Sequence, residues 1–268
     1  MNTDPTTALL TDPACRDARP EWDYTEHADA YLARPDYPAT LVDRLAAHAG
    51  VAPGKGRLVE VGAGTCNMTL ALSRYAQTYT AVEPNDAMRS WGQKRTDRTK
   101  VRWIKGTAEA TTLPSASADW IMAAQCFDTF EPAPATRELH RVGAPGARLT
   151  VLWNHRVWTD DPLEARIERL ISDRLHGYNR GVRRKDPTEA LTTSGLFTDP
   201  VPMEEPHTVL MDADRYVTVW RSVRTLRVQA GAEGFERLLH DIRALLDDSG
   251  VREIPVKYVT RAWTVRRT

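Results

Sequence analysis

The spacing of apolar residues changes along the chain, and the changes mark its parts. From Arg57 onward, short apolar runs bounded by polar turns alternate with stretches where apolar residues recur every three or four positions. The short runs read as buried strands near 57–62, 79–83, 101–105, 119–125 and 147–153. The others read as helices over 67–76, 86–95 and 133–142. Such alternation predicts an α/β fold with a doubly wound, mostly parallel sheet. Beyond 153 the pattern shifts. Pro162 opens a helix with Leu163, Ile167, Leu170, Ile171 and Leu175 on one face. A short helix over 188–194, a strand over 203–211, helices over 216–223 and 235–246 and a strand over 253–265 follow, the two strands expected as an antiparallel pair. Upstream, 41–47 reads as a short helix and 21–33 as a helix or lid, while 1–20 has no periodicity and reads as loose. The expected organisation is a loose segment 1–20 and one domain 21–268, with 156–200 inserted as a helical cap.

Composition narrows the function classes. Of 268 residues, 41% are hydrophobic, enough for a core, and 36 basic residues balance 36 acidic ones. This balance leaves no electrostatic footprint for nucleic acid or an anionic membrane. The cluster Arg180, Arg183, Arg184 and Lys185 reads as a solvated loop. No apolar run is long enough to span a bilayer, and the first residues lack a charged-then-apolar leader pattern. The cysteines, Cys15, Cys66 and Cys126, form no metal or redox spacing. The expectation is a cytoplasmic, thiol-reduced protein, monomer or homodimer, with no metal, nucleic-acid or membrane partner.

The chemistry concentrates where the first strand ends. Leu58-Val59-Glu60-Val61 runs into Gly62-Ala63-Gly64-Thr65-Cys66-Asn67, and Glu83 follows at the end of the next apolar run. Gly62 and Gly64 permit a sharp turn and close approach of a ligand. A carboxylate at Glu83 is placed to accept both hydroxyls of a ribose. The same glycines could serve only strand-to-helix packing, since G-x-G alone is a weak signal. A dinucleotide site calls for a third glycine so that a pyrophosphate can sit on the helix N-terminus. Asn67 occupies that position, and Glu60 is out of place in a dinucleotide strand.

Val59-Glu60-Val61-Gly62-Ala63-Gly64-Thr65 resembles the first motif of the class I S-adenosylmethionine-dependent methyltransferases, small-molecule type. Val82-Glu83-Pro84-Asn85-Asp86-Ala87-Met88 resembles their ribose-binding segment, and Gly106-Thr107-Ala108-Glu109 their adenine-binding segment. Ile121-Met122-Ala123-Ala124-Gln125-Cys126-Phe127 and 138–149 resemble the fourth strand and the helix, turn and fifth strand after it. Tyr31-Leu32-Ala33-Arg34-Pro35-Asp36-Tyr37-Pro38 resembles the N-terminal segment of a small-molecule subgroup, and Arg221-Ser222 and 256–263 fit the C-terminal part. The likeness runs in order over most of the chain from about residue 24.

The resemblance implies a Rossmann-like fold, S-adenosylmethionine as donor and S-adenosylhomocysteine as product. It implies cofactor contacts from Tyr31, Arg34, Glu60, Gly62, Ala63, Gly64, Glu83, Pro84, Met88, Thr107, Ala108, Glu109, Gln125 and Cys126. Arg34 reads equally as a surface arginine bracing Asp36, and Met88 as plain core. Where the family usually has Phe-His-Trp, this chain has Phe127-Asp128-Thr129. The candidates for a base are therefore His155, Asp128 and His27. Asp128 could instead cap the helix over 132–142 or be a solvated loop acid. Trp22, Tyr24, Phe127 and Trp158 are the candidates to line an acceptor pocket. The expected function is methyl transfer to a small-molecule acceptor, through O, N or C, in specialised or natural-product metabolism. The alternative is a cofactor-binding protein that transfers no methyl and either catalyses a rearrangement or serves as a binding subunit.

Overall fold

The structure is a computed structural model and describes residues 23–157, 161–175 and 186–268. The loose segment 1–20, the basic cluster 180–185, Trp22 and Trp158 lie outside the described residues.

Seven strands form one sheet in the order β3-β2-β1-β4-β5-β7-β6. They are β1 (Gly56–Val61), β2 (Ala76–Val82), β3 (Val101–Ile104), β4 (Ala118–Ala124), β5 (Gly143–Arg156), β6 (Phe197–Met211) and β7 (Ile254–Arg267). The first five are parallel, and β7 runs antiparallel to both β5 and β6. This is the doubly wound, Rossmann-like sheet with an antiparallel C-terminal pair. The strand order reverses between β1 and β4, so the crevice outside their carboxyl ends is the natural ligand position.

Successive residues of a strand feed opposite faces. Val59, Val61, Ile121, Ala123, Leu149, Val151 and Trp153 pack against α4 (Pro132–Val142) through Ala135, Leu139 and Val142. Leu58, Trp120, Met122 and Leu152 pack on the other face against α1 (Ala39–Ala49) and α2 (Asn67–Leu72). The helix after β2, α3 (Asp86–Thr96), starts at Asn85, whose side chain accepts from the Met88 N–H at 3.0 Å.

Four more helices follow β5 among the described residues. The first three are α5 (Pro162–Arg174), opened by Asp161 accepting from the N–H of Leu163 and Glu164, then α6 (Thr188–Thr192) and, after β6, α7 (Ala213–Arg221). The expected helices over 216–223 and 235–246 begin earlier, as α7 and as α8 (Arg224–Ser249), which kinks where Gly231 turns to φ 68°. The β6–β7 pair continues to Met211 and Ile254, past the end of β5, which is paired with β7 only as far as Arg156 and Tyr258. On this overhang α5, α7 and α8 bury a separate core, including Ile167, Ile171, Tyr216, Trp220, Phe235, Leu239 and Ile242. α6 instead sends Leu191 to the α4 side of the sheet.

Candidate active site

The site begins at the turn after β1. Gly62 and Gly64 have φ of 64° and 56°, and Cys66 closes the turn at φ 71°. A Cβ on Gly62 would lie 2.7 Å from Cys126 Sγ and 2.9 Å from its Cβ, so the loop after β4 presses on the turn. A Cβ on Gly64 would lie 3.2 Å from Met88 Cε, which places Met88 over the turn. The Gly64 N–H donates to Glu83 Oε2 at 2.8 Å, and the Asn85 N–H donates to Oε1 at 2.9 Å. One amide on each oxygen fixes the carboxylate and leaves further acceptor capacity on both. Burial pushes the Glu83 carboxyl up to about 7, against the pull of these two amides and Arg89. Asn67, which breaks the dinucleotide pattern, accepts from Arg95 and donates to the Arg34 carbonyl at 3.5 Å.

Among the other sequence candidates, Glu60 points into the protein, where Thr69 and Tyr79 donate to Oε2 at 2.6 and 2.7 Å. Burial pushes its carboxyl to about 7 as well. The Ala63 N–H donates to the Val82 carbonyl at 3.1 Å, tying the turn to β2. Pro84 is half-buried beside Glu83. Thr107 Oγ1 is buried without a hydrogen-bond partner among the described residues. Ala108 is buried, and Glu109 accepts from the Glu131 N–H at 2.9 Å, bracing the start of α4. Gln125 takes φ 66°, and its side-chain amide donates to the Asn154 carbonyl at 3.4 Å. The Cys126 thiol lies 3.2 Å from the Val61 carbonyl.

The segment 23–36 crosses this edge as a strap. At one end Asn85 donates to Asp23 at 2.9 Å and to Thr25 at 3.0 Å. At the other, Asn154 reaches the carbonyls of Pro35 and Asp36 at 3.5 and 3.4 Å. The region expected as a helix or lid is two short 3₁₀ turns, Thr25–His27 and Ala30–Ala33. Tyr24 packs edge-on against Tyr31 and His27. His27 is buried, its Nδ1 3.0 Å from the Arg221 carbonyl, and burial lowers its pKa. Arg34 lies over the Tyr31 ring and donates to Ser222 through Nε (2.8 Å) and Nη2 (3.1 Å).

Asp128 and His155 meet at one indole. The Trp153 Nε1–H donates to Asp128 Oδ1 at 3.1 Å, and the His155 ring stacks on Trp153 with centroids 6.5 Å apart. His155 lies inside β5 and not beyond it, because β7 pairs with β5 through Asn154, His155 and Arg156. Glu131, not Asp128, occupies the position before α4. Phe127 is buried in the core on the α4 side.

Two phenols that periodicity passes over also sit here. Tyr37 ends the strap near Tyr31, Arg34, Glu60 and Cys126, and burial pushes its hydroxyl well above the usual range. Tyr258, the cross-strand neighbour of Arg156, is 6% exposed. Both lie within segments that resemble the family, which was their only signal in the sequence.

Comparisons with known proteins give the chain's likenesses. A methyltransferase domain family matches residues 59–151. The uncharacterized methyltransferase Rv3342 of Mycobacterium tuberculosis is 33% identical over 123 residues, 46% of this chain and 48% of that protein. The uncharacterized methyltransferase-like C25B8.10 of Schizosaccharomyces pombe is 30% identical over 133 residues, 49% and 51% of the two. The chain thus spans about half the length of the curated relatives it matches. Among solved structures, a protein described as a candidate type II methyltransferase from Anaeromyxobacter dehalogenans superposes with a TM-score of 0.57. It is 25% identical, and the match covers 87% of this chain and 96% of that one. The YcgJ protein of Bacillus subtilis shares the fold, with a TM-score of 0.52 at 16% identity and coverage of 86% and 99%.

Proposed function

We propose that this chain, a member of the class I S-adenosylmethionine-dependent methyltransferases, moves a methyl group from that cofactor to a small-molecule acceptor. The observation that carries the reading is the Glu83 carboxylate, pinned by the Gly64 and Asn85 amides with acceptor capacity left on both oxygens. It stands where a ribose diol would reach it, beside a left-handed glycine turn under Met88. When bound, S-adenosylmethionine supplies a methyl already activated on a sulfonium.

The chain's residues then bind, align and deprotonate. Gly62, Ala63 and Gly64 offer backbone amides and room to the methionine part, with Gln125 and Arg34 addressing its ammonium and carboxylate. Glu83 and Pro84 hold the ribose. Thr107, Ala108 and Glu109 frame the adenine edge, and the buried Thr107 hydroxyl suits a polar ring atom there. Met88 covers one face. Glu60 acts from behind the turn, and Tyr31 and Cys126 complete the walls. Alignment is the main contribution to an SN2 step whose leaving group is already charged. For a hydroxyl or carbon acceptor, His155 takes the proton, with Asp128 beside it on the same indole. His27 is the reserve candidate. Tyr24 lines the acceptor side in this reading, with Trp22 and Trp158 as sequence candidates outside the described residues, whereas Phe127 is buried in the core.

The balance of 36 basic and 36 acidic residues favours a small metabolite, in specialised metabolism, over nucleic acid. Among the described residues no helix is long and apolar enough to cross a membrane, and no group of three His, Cys, Asp or Glu could hold a metal ion. The test is incubation with methyl-labelled cofactor and an acceptor panel, reading S-adenosylhomocysteine and label transfer. Binding of S-adenosylhomocysteine without transfer to any acceptor would favour a binding protein or a rearrangement catalyst. Thermal stabilisation by NAD and not by S-adenosylhomocysteine would overturn the donor assignment.

A further inference from the structure

Asn85 stands where the donor carboxylate meets the strap, and each of its polar groups serves a different neighbour. Its N–H donates to Glu83 Oε1 at 2.9 Å. Its Oδ1 accepts from the Met88 N–H at 3.0 Å and so caps α3. Its Nδ2 donates to Asp23 Oδ1 at 2.9 Å and to Thr25 Oγ1 at 3.0 Å. Asp23 Oδ1 also accepts from the N–H and the hydroxyl of Thr25, at 2.9 and 2.7 Å. Asn85 is 8% exposed, so a partner lost there is not simply replaced by water.

From this corner the strap runs past the carboxyl ends of β2, β1 and β5. Asn67, just after the β1 turn, reaches the Arg34 carbonyl at 3.5 Å, and Asn154 of β5 reaches the carbonyls of Pro35 and Asp36. The contacts from the helical layer are polar as well. Arg224 donates to the Asp23 carbonyl at 3.0 Å, Arg227 pairs with Glu26 at 2.6 Å, and His27 meets the Arg221 carbonyl. Between Asp23 and Arg34 the fully buried apolar side chains are only Ala28 and Ala30, and single methyls anchor little. A segment held this way opens locally at far lower cost than the sheet beside it. Next to its Asp23 end, Glu83 is 7% exposed and Gly64 is buried. A ribose reaches that carboxylate only when a neighbouring segment moves aside, and the strap is the neighbour with the least apolar anchorage.

We propose that the strap is a gate on donor exchange and that Asn85 is its positioning residue. The Asn85–Asp23 bond holds 23–34 closed, while the Asn85 N–H holds Glu83 ready for the diol. The hinge is the stretch from Pro35 to Pro38, which is continuous with α1; hinges commonly sit at such element ends. The proposal rests on the methyl-transfer reading for naming the gated ligand, but the latch is a property of the chain alone.

An amide facing a carboxylate can be exchanged end for end, and this supplies the test on the full chain. In Asn85→Asp the new carboxylate still accepts from the Met88 N–H, and an acid suits a helix N-terminus, so α3 persists. It offers Asp23 no donor and repels it. Adding Asp23→Asn restores the bond with donor and acceptor exchanged. The double variant keeps the new charge beside Glu83, so its recovery separates the latch from a charge effect on that carboxylate. Hydrogen–deuterium exchange of 23–34 without ligand reads the latch, and stopped-flow dissociation of S-adenosylhomocysteine reads the gate. Asn85→Asp should speed both by about tenfold, with exchange in β1 and β4 unchanged, and the double variant should return both to within about threefold of wild type. Unchanged strap exchange in Asn85→Asp, unchanged dissociation despite faster strap exchange, or no recovery in the double variant would overturn the proposal. Strap exchange that responds as expected in a chain that binds no S-adenosylhomocysteine would instead sink the donor reading and leave the latch standing.

Discussion

Replacing Glu83 by glutamine tests the donor site where its geometry is most specific. The carboxylate accepts one backbone amide on each oxygen, so a ribose diol would add one hydroxyl to each. A hydrogen bond to a charged acceptor contributes about 1.5–3 kcal/mol net. Glutamine keeps one accepting oxygen and turns a donor toward the other hydroxyl. The expected loss is about 2–4 kcal/mol, or about 30- to 1,000-fold in Kd. The free carboxyl titrates at about 7 because it is buried, while a ligand that donates two hydroxyls favours the ionised form. Binding to the wild type should therefore release protons below pH 7, and affinity should rise with pH up to that point. Isothermal titration with S-adenosylhomocysteine across pH 5.5–8.5, in two buffers of different ionisation enthalpy, reads both effects. The glutamine variant should lose most of the buffer dependence. A variant Kd within about threefold of wild type, or an unchanged proton release, would refute the ribose assignment.

Gly62→Ala should lower stability by about 2–4 kcal/mol, because its Cβ would meet Cys126 at a positive φ. Thermal unfolding measures it, and adding Cys126→Gly should recover part of the loss. Glu60→Gln should flatten the pH dependence of stability. The wild-type carboxyl rises from 4.5 to about 7 on folding, so the native state holds the proton more tightly than the unfolded chain. The stability this confers is complete below pH 4.5 and is lost as pH rises through 7, a change of about 3 kcal/mol. Glutamine still accepts from Thr69 and Tyr79, and urea unfolding at pH 5 and 8 should show the smaller difference in the variant. His155→Ala and Asp128→Asn should each lower turnover of a responsive acceptor by about 10²- to 10⁴-fold with S-adenosylhomocysteine affinity unchanged. Unchanged turnover in either would remove that residue from the mechanism.

What the sequence revealed of the fold is what local physics controls. The five parallel strands and the helices between them follow from apolar spacing and turn residues, and their limits shift by only a few positions. The misplacements have long-range causes. Nothing near His155 says that the strand continues through it, because the partner that extends β5 is β7, about a hundred residues later. The helices over the overhang were seen as separate segments, but their joint core depends on how far β6 and β7 outrun β5. α6 lies in sequence between two elements of that layer, yet Leu191 finds its apolar surface on the α4 side.

The same division governs the site. The donor half is written in short stretches. Gly62 and Gly64 lie 21 and 19 residues before Glu83 and are joined to it by a single crossover, so one turn and one register bring Gly64 to Glu83. Even Asn67, a break in the expected pattern, has a local explanation in its contacts with Arg95 and Arg34. Beyond the donor half, the polar groups near the ends of β5 and β7 come from distant places: Arg156 on β5, Arg215 on α7 and Tyr258 on β7. No period or spacing links them, and each alone reads as an ordinary surface arginine or strand tyrosine. Only antiparallel pairing sets Tyr258 across from Arg156, and only the seating of α7 brings Tyr216 and Trp220 to Arg156.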